Sequence, residues 1–355
     1  METRHRVLVG DARRLSQVDD DSVELVVTSP PYPMVEMWDD LFSELNPAVA
    51  EHLDRGHGRD AFARMHEELD AAWEEVSRVL VDGGIACVNI GDATRTVDGS
   101  FRVFQNHSRV IDAFERRGFE PLPEILWRKP TNSGAKFMGS GMVPPNAYVT
   151  LEHEYILVFR NGTGSRHFEP GAKRRYEAAY FWEERNRWFS DVWTDVRGEL
   201  QTLERGDLRE RSAAYPFEIP YRLVNMYSVY GDTVLDPFWG TGTTSLAAMV
   251  AGRHSVGCER DEEFVRVFED RVGNVPEYSH DVVERRLAEH REFVEQRAGG
   301  EAAFEYEADN YAFPVTTKQE QSIQLYAVSE VRDTDSGYRV SHEPVDDAGG
   351  AGSDR

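Results

Sequence analysis

An open α/β sheet with helices on both faces is the fold class this sequence predicts, and three observations predict it. Val23-Glu24-Leu25-Val26-Val27 is a short apolar run that ends in the loop Thr28-Ser29-Pro30-Pro31-Tyr32. Thr233-Val234-Leu235 is another, and it ends in Asp236-Pro237-Phe238-Trp239-Gly240-Thr241-Gly242-Thr243-Thr244. Both read as buried parallel strands, and strand-like and helix-like segments alternate around them. Ligands of open α/β sheets bind at the carboxyl ends of the strands, so a stiff Pro-Pro loop and a Gly-rich loop predict two adjoining pockets.

The elements follow in order. A strand at 6–10 runs into Asp11, and the strand at 24–28 follows. Residues 33–60 read as an acidic, irregular insertion, either a lid or, the favoured reading, a packed excursion. Phe62, Met65, Leu69, Trp73, Val76 and Leu80 have helical spacing and predict a helix over 61–80, closed by the turn Asp82-Gly83-Gly84. A strand at 85–90, a helix at 103–117 ending at Gly118, and strands at 124–127 and 154–159 come next. Between those two strands lies a Gly/Pro-rich loop, 131–145, and 160–214 is polar, rich in Arg and aromatics, and yields no element. A helix at 221–230, the strand at 233–235, a helix at 243–251 and a strand at 254–258 ending at Glu259 complete a seven-stranded mixed sheet. Helices are expected at 262–272 and 281–298, a small hairpin within 311–340, and a disordered tail from 346. The expected division is one catalytic domain over 1–300 and a small C-terminal appendage over 301–355.

Composition narrows the class. No stretch approaches the roughly 18 apolar residues of a membrane span, so a cytoplasmic location is expected. Cys87 and Cys258 lie in apolar runs and read as inert core thiols; no metal site is expected. The formal charge is −24, and 36 of the 40 basic residues are Arg. Many acids with scarce Lys suit a salt-filled cytoplasm, where screening lengths shrink to a few ångström. The charge is uneven: 101–175 holds 12 basic against 7 acidic residues, whereas 36–98 holds 5 against 15. One face is therefore free to meet phosphates.

Chemistry concentrates in the two loops. Gly240 and Gly242 let backbone approach a ligand, and Thr243-Thr244 open the next helix. No Lys follows, so this is not a triphosphate loop. Glu259 ends the next strand about twenty residues on, where an acid accepts hydrogen bonds from ribose hydroxyls; together these predict a nucleoside cofactor. In Ser29-Pro30-Pro31-Tyr32 the prolines stiffen the backbone and free its carbonyls to point into a cavity. Acceptors beside an aromatic ring suit a planar base with an exocyclic amine, and hydrogen bonding of that amine raises its nucleophilicity.

TSPPY and DPFWGTGTT, in this order, resemble the beta-class (permuted) DNA amino-methyltransferases of the N4-cytosine/N6-adenine type. Further blocks share the resemblance: Leu80-Val81-Asp82-Gly83-Gly84 with Asn89-Ile90-Gly91-Asp92, Trp127-Arg128-Lys129-Pro130, His153-Glu154-Tyr155-Ile156-Leu157-Val158-Phe159, and Tyr215-Pro216-Phe217. They cover about half the chain. The resemblance implies the Rossmann-like methyltransferase fold, S-adenosylmethionine as cofactor and double-stranded DNA as partner. It implies that Asp236, Pro237, Phe238, Gly240, Gly242, Thr243 and Thr244 cradle the cofactor's methionine part, covered by Phe217. Glu259 would hold its ribose, and Asp11 would lie near its adenine. Ser29 and the Pro30 carbonyl would hold the target amine, with Pro31 stiffening the loop and Tyr32 stacking on a base flipped from the duplex. Trp127 and Lys129 would line the base pocket.

Ser before Pro-Pro-Tyr implies N4 of cytosine, with N6 of adenine as the alternative. C5 transfer needs a cysteine nucleophile, typically after proline, and neither Cys87 nor Cys258 follows one. Recognition is expected from 131–150 and 160–214, the latter carrying Lys173, Arg174 and Arg175, and Arg suits phosphate and guanine alike. The acidic composition with this resemblance points to a haloarchaeal type of protein and a short palindrome such as CTAG. Trp239, where the family has a smaller residue, packs either on the cofactor or on a neighbouring strand. Any restriction endonuclease would be a separate chain, and a homodimer is allowed. The rival of another class is a non-catalytic DNA binder with a retained cofactor pocket.

Overall fold

The computed structural model describes residues 1–129, 138–197, 215–298 and 304–346. Among these residues, ten strands form one mixed sheet. They are β1 (Glu2–Val9), β2 (Val23–Thr28), β3 (Leu80–Ile90), β4 (Phe119–Arg128), β5 (His153–Asn161), β6 (Val192–Trp193), β7 (Thr233–Asp236), β8 (His254–Glu259), β9 (Tyr326–Thr334) and β10 (Gly337–Pro344). The spatial order is β6-β4-β5-β3-β2-β7-β8-β1-β10-β9. β3, β2, β7, β8 and β1 run parallel, and β5 is antiparallel to both β3 and β4. The seven expected strands are all present, and three more extend the sheet at its edges.

Period-two alternation splits the central strands between two cores. On one face Leu25, Val27, Cys87 and Val234 meet α7 (Glu218–Tyr227), α8 (Thr243–Val250) and α10 (Val275–Ala298) through Tyr221, Leu223, Ala247 and Val282. On the other, Val26, Ala86, Val88 and Leu235 meet α3 (Gly58–Val79) and α4 (Asn106–Glu115) through Met65, Leu69, Trp73, Val110 and Phe114. α9 (Glu262–Val272) follows β8 and starts at Asp261, whose carboxylate accepts the Glu263 N–H at 2.9 Å.

Three expectations need correction. Residues 33–60 are not irregular. They form a short 3₁₀ turn, then α1 (Asp39–Leu45), α2 (Pro47–Asp54) and the start of α3. Asn46 caps α2 by accepting the Ala48 N–H at 3.2 Å, Pro47 opens it, and buried Phe42 and Val49 anchor the pair. The helix expected from 103 begins at Asn106, because 93–104 form a hairpin of Ala93–Val97 with Ser100–Phe104 around Asp98-Gly99. The C-terminal hairpin is not an appendage: β10 pairs antiparallel with β1, register Glu2↔Ser341 to His5↔Tyr338. The backbone edge of β1 is thereby covered, which sequence hydrophobicity does not signal because only Val340 and His342 of β10 are buried. Two further short helices, α5 (Lys173–Glu177) and α6 (Trp182–Trp188), lie in the Arg-rich stretch. Of the segments expected to carry recognition, 131–150 and 160–214, residues 131–137 and 198–214 lie outside the described residues, as does the tail from 347.

Candidate active site

The two motif loops lie next to each other because β2 and β7 are neighbouring parallel strands, with Leu25 opposite Val234. One hydrogen bond ties their ends: Thr28 Oγ1 donates to Asp236 Oδ1 at 2.6 Å. Thr244 Oγ1 donates to the other oxygen at 2.6 Å, and the Phe238 N–H to Oδ1 at 3.1 Å. Asp236 is buried, and that burial raises its carboxyl pKa to about 6, while the Thr244 and Thr28 hydroxyls oppose the rise. Its carboxylate thus fastens strand end to helix start rather than reaching freely into solvent.

A cleft of about 660 Å³ opens over these strand ends. It gathers Asp11, Ser29, Pro30, Pro31, Tyr32, Asp236, Pro237, Phe238, Gly240, Thr243, Thr244 and Glu259, twelve residues expected from sequence. Gly240 has φ +54°, and a Cβ there would meet no neighbouring atom within 4 Å, leaving open space beside the backbone. Its N–H donates to Glu259 Oε2 at 2.8 Å, and the Asp261 N–H to Glu259 Oε1 at 2.9 Å. Two amides therefore orient the carboxylate at the rim. Asp11 carries Arg13, whose Nη2 lies 2.6 Å from Oδ2.

Met37, Trp38, Leu41, Phe42 and Leu45, from the 3₁₀ turn and α1, wall the cleft opposite the loops. The insertion is thus both a packed excursion and a wall. Trp239 settles on the neighbouring strand, where a Cβ on Gly257 of β8 would run into the Trp239 ring. Its Nε1 donates to Ser245 at 2.8 Å and its ring stands edge-on to Phe268. Gly242, at φ +76°, lies under the same ring and lets the loop turn into α8. Cys258 touches the cleft, but burial raises its thiol pKa to about 12, so it is no nucleophile at neutral pH.

Beside Ser29 lies a polar cluster in which Tyr32 and Lys129 meet two residues the sequence reading gave no role, Asn89 and Glu154. Tyr32 OH donates to Glu154 Oε2 at 2.9 Å, Asn89 Nδ2 lies 2.9 Å from Tyr32 OH and 2.8 Å from Glu154 Oε2, and Lys129 Nζ donates to Glu154 Oε1 at 2.7 Å. Ser29 Oγ is 3.2 Å from Tyr32 OH. Burial, then the Glu154 charge, holds the Tyr32 phenol well above its ordinary pKa, so it remains a donor. A charged residue among the apolar residues of strand 154–159 was the available signal for Glu154, which is 9% exposed.

Other expected residues fall elsewhere. Phe217 turns into the core, stacked on Tyr221 and edge-on to Tyr278, and Tyr215 takes the place at the cleft. Trp127 is fully buried, with Nε1 donating to the Val196 carbonyl at 3.0 Å, and it does not line the cleft. Lys173, Arg174 and Arg175 lie at the opposite end of the sheet. Arg174 is 3.8 Å from Asp232, which precedes β7, and Arg174 and Arg175 flank Phe168. That position removes them from the catalytic face.

The residues present fit S-adenosylmethionine on an observation of their own. Thr243 Oγ1, at the cleft wall and the start of α8, is buried with no hydrogen-bond partner in the protein. Such a group calls for a polar ligand.

The DNA methylase family of the N6/N4 type matches residues 23–270. The chain is 53% identical to the Type II methyltransferase M.MthZI of Methanothermobacter thermautotrophicus over 92% of its own length and 91% of that protein. It is 50% identical to M.MjaI of Methanocaldococcus jannaschii over 76% and 92%. Among solved structures it is similar to the putative DNA modification methylase TTHA0409 of Thermus thermophilus complexed with S-adenosyl-L-methionine. That match has TM-score 0.59 and 32% identity, over 76% of this chain and 95% of the other. Fold, cleft and likeness agree: the chain belongs to the N6/N4 DNA methylase family and is an S-adenosylmethionine-dependent DNA amino-methyltransferase.

Proposed function

We propose that the chain methylates N4 of a cytosine flipped out of duplex DNA at a short recognition sequence. The observation that carries this reading is the direction of the hydrogen bonds around Ser29. Tyr32 gives its proton to Glu154 at 2.9 Å and accepts from Asn89 at 2.9 Å. Ser29 therefore points its own proton at Tyr32, 3.2 Å away, and presents oxygen lone pairs to the cleft. An acceptor in that place takes a hydrogen of an exocyclic amine and draws the nitrogen lone pair out of the ring's conjugation. Lys129 balances the charge of Glu154 at the far end of the chain of bonds.

Asp11, Gly240, Thr243 and Glu259 would hold the cofactor, which supplies an electrophilic methyl group carried on a positively charged sulfur. The rest is done by the chain. Ser29 and the Pro30 carbonyl fix the amine, the Tyr32 ring supports the base, and the cleft walls exclude water. As the N–C bond forms and the C–S bond breaks, the amine gives up one proton to Ser29. Ser29 passes its own to Tyr32, and Tyr32 passes its own to Glu154.

Ser rather than Asp or Asn at position 29 favours cytosine over adenine. CTAG is the sequence to test first, with any restriction endonuclease a separate chain. The test uses methylation-free DNA, the cofactor and purified protein in molar potassium chloride, which suits the −24 charge. The DNA is then digested and its nucleosides identified by mass spectrometry. N4-methylcytosine is expected. N6-methyladenine would move the target to adenine on the same machinery, and no mark from folded protein would favour the non-catalytic binder.

A further inference from the structure

At the junction of α2 and α3, outside both motif loops, two histidines and an aspartate converge. His52 is in the last turn of α2, His57 caps α3, and Asp60 is in the first turn of α3. Nδ1 of His52 and Nδ1 of His57 each lie 4.0 Å from Asp60 Oδ2, and one donor atom from each of the three falls within 4.8 Å of the others. The backbone fixes this cluster: the His57 N–H donates to the His52 carbonyl at 2.8 Å, and the Asp60 N–H to the His57 carbonyl at 3.0 Å.

A second observation points to a ligand. His52 Nδ1 is buried and has no hydrogen-bond partner in the protein. A buried ring nitrogen without a partner is costly, and coordination removes that cost. Among the ion pairs of the described residues, His52 and His57 each pair with Asp60, and their two rings lie 6.0 Å apart.

We infer that His52, His57 and Asp60 bind a divalent transition metal of the zinc type. Two imidazoles and a carboxylate form a ligand set that zinc accepts, with water as fourth ligand. Bonds of about 2.0–2.1 Å place tetrahedral ligand atoms about 3.4 Å apart. Rotations of the two exposed side chains, His57 and Asp60, at 54% and 64% exposure, close the present gaps. The ion would clasp α2 to α3 behind the α1 wall of the cleft, and so stiffen a wall rather than take part in methyl transfer.

The test uses untagged full-length protein stripped with EDTA. Cobalt titration followed by visible absorption reads the coordination geometry, and zinc competition against a chelating dye reads affinity. One zinc per chain and an intense tetrahedral cobalt band are expected. His57→Ala and Asp60→Asn should each weaken zinc binding at least tenfold, while His167→Ala, at an exposed pair with Glu169, leaves it unchanged. Both substitutions are at exposed positions without side-chain capping bonds, and circular dichroism verifies the fold. Absence of a cobalt band, or zinc affinity indifferent to both substitutions, would overturn the site. Neither result depends on which base is methylated.

Discussion

Replacing Asp236 by Asn should change the pH dependence of stability by a calculable amount. The folded carboxyl has its pKa at about 6, against 3.8 for the ordinary group. Because the folded-state value is the higher one, the folded protein binds the extra proton, and the resulting stability is fully present below 3.8 and lost as pH rises through 6. The whole difference is about 3 kcal/mol, and about 1.4 kcal/mol of it is lost between pH 5 and 7.5. A carboxamide cannot ionise, so Asp236→Asn lacks this slope whatever its absolute stability. Urea unfolding of both proteins at pH 5, 6, 7 and 7.5 in constant salt gives the difference curve. It should move in favour of Asp236→Asn by about 1.4 kcal/mol across that range, steepest at its acid end and levelling off above pH 6. Parallel curves, within about 0.3 kcal/mol, would refute the argument that burial holds this carboxyl partly protonated.

Tyr32→Phe and Glu154→Gln should each lower kcat by roughly 100-fold with the cofactor's Kd unchanged, and the double variant should be no worse than either; stepwise additive losses would break the proposed proton chain. Thr243→Val removes the partnerless buried hydroxyl, so thermal stability should hold or rise while cofactor affinity falls about tenfold by calorimetry. Gly257→Ala would drive a methyl into the Trp239 ring, and a loss of about 1–3 kcal/mol in denaturant unfolding is expected; an unchanged midpoint would show that Trp239 is loosely held.

What could be read from the sequence was local. Seven strands and the two loops follow from apolar runs punctuated by Pro and Gly, and twelve of the named residues meet in one cleft. What could not be read depends on strand pairing. Glu154 reaches Tyr32 only because β5 lies beside β3, with Tyr155 opposite Ile90. Phe217 and Tyr215 are two residues apart, and only the packing of α7 decides that Phe217 enters the core. Lys173-Arg174-Arg175 has a nucleic-acid composition, yet nothing in composition tells which end of the sheet it occupies. That the C-terminal hairpin joins the main sheet stayed hidden because the pairing of β10 with β1 is mostly backbone, with Arg339 opposite Arg4.

The Thr28–Asp236 bond joins residues 208 positions apart in the chain. Everything between them leaves the seam of β2 and β7 and returns to it, and Asn89, Lys129 and Glu154 reach the Tyr32 hydroxyl and one another from within that excursion. On the proposed reading, DNA-binding segments of the excursion would diverge without disturbing the seam, so long as that cluster is kept. A chimaera that exchanges excursion segments with a relative, and keeps both sides of the seam together with Asn89, Lys129 and Glu154, should change the site it marks before it loses the power to mark.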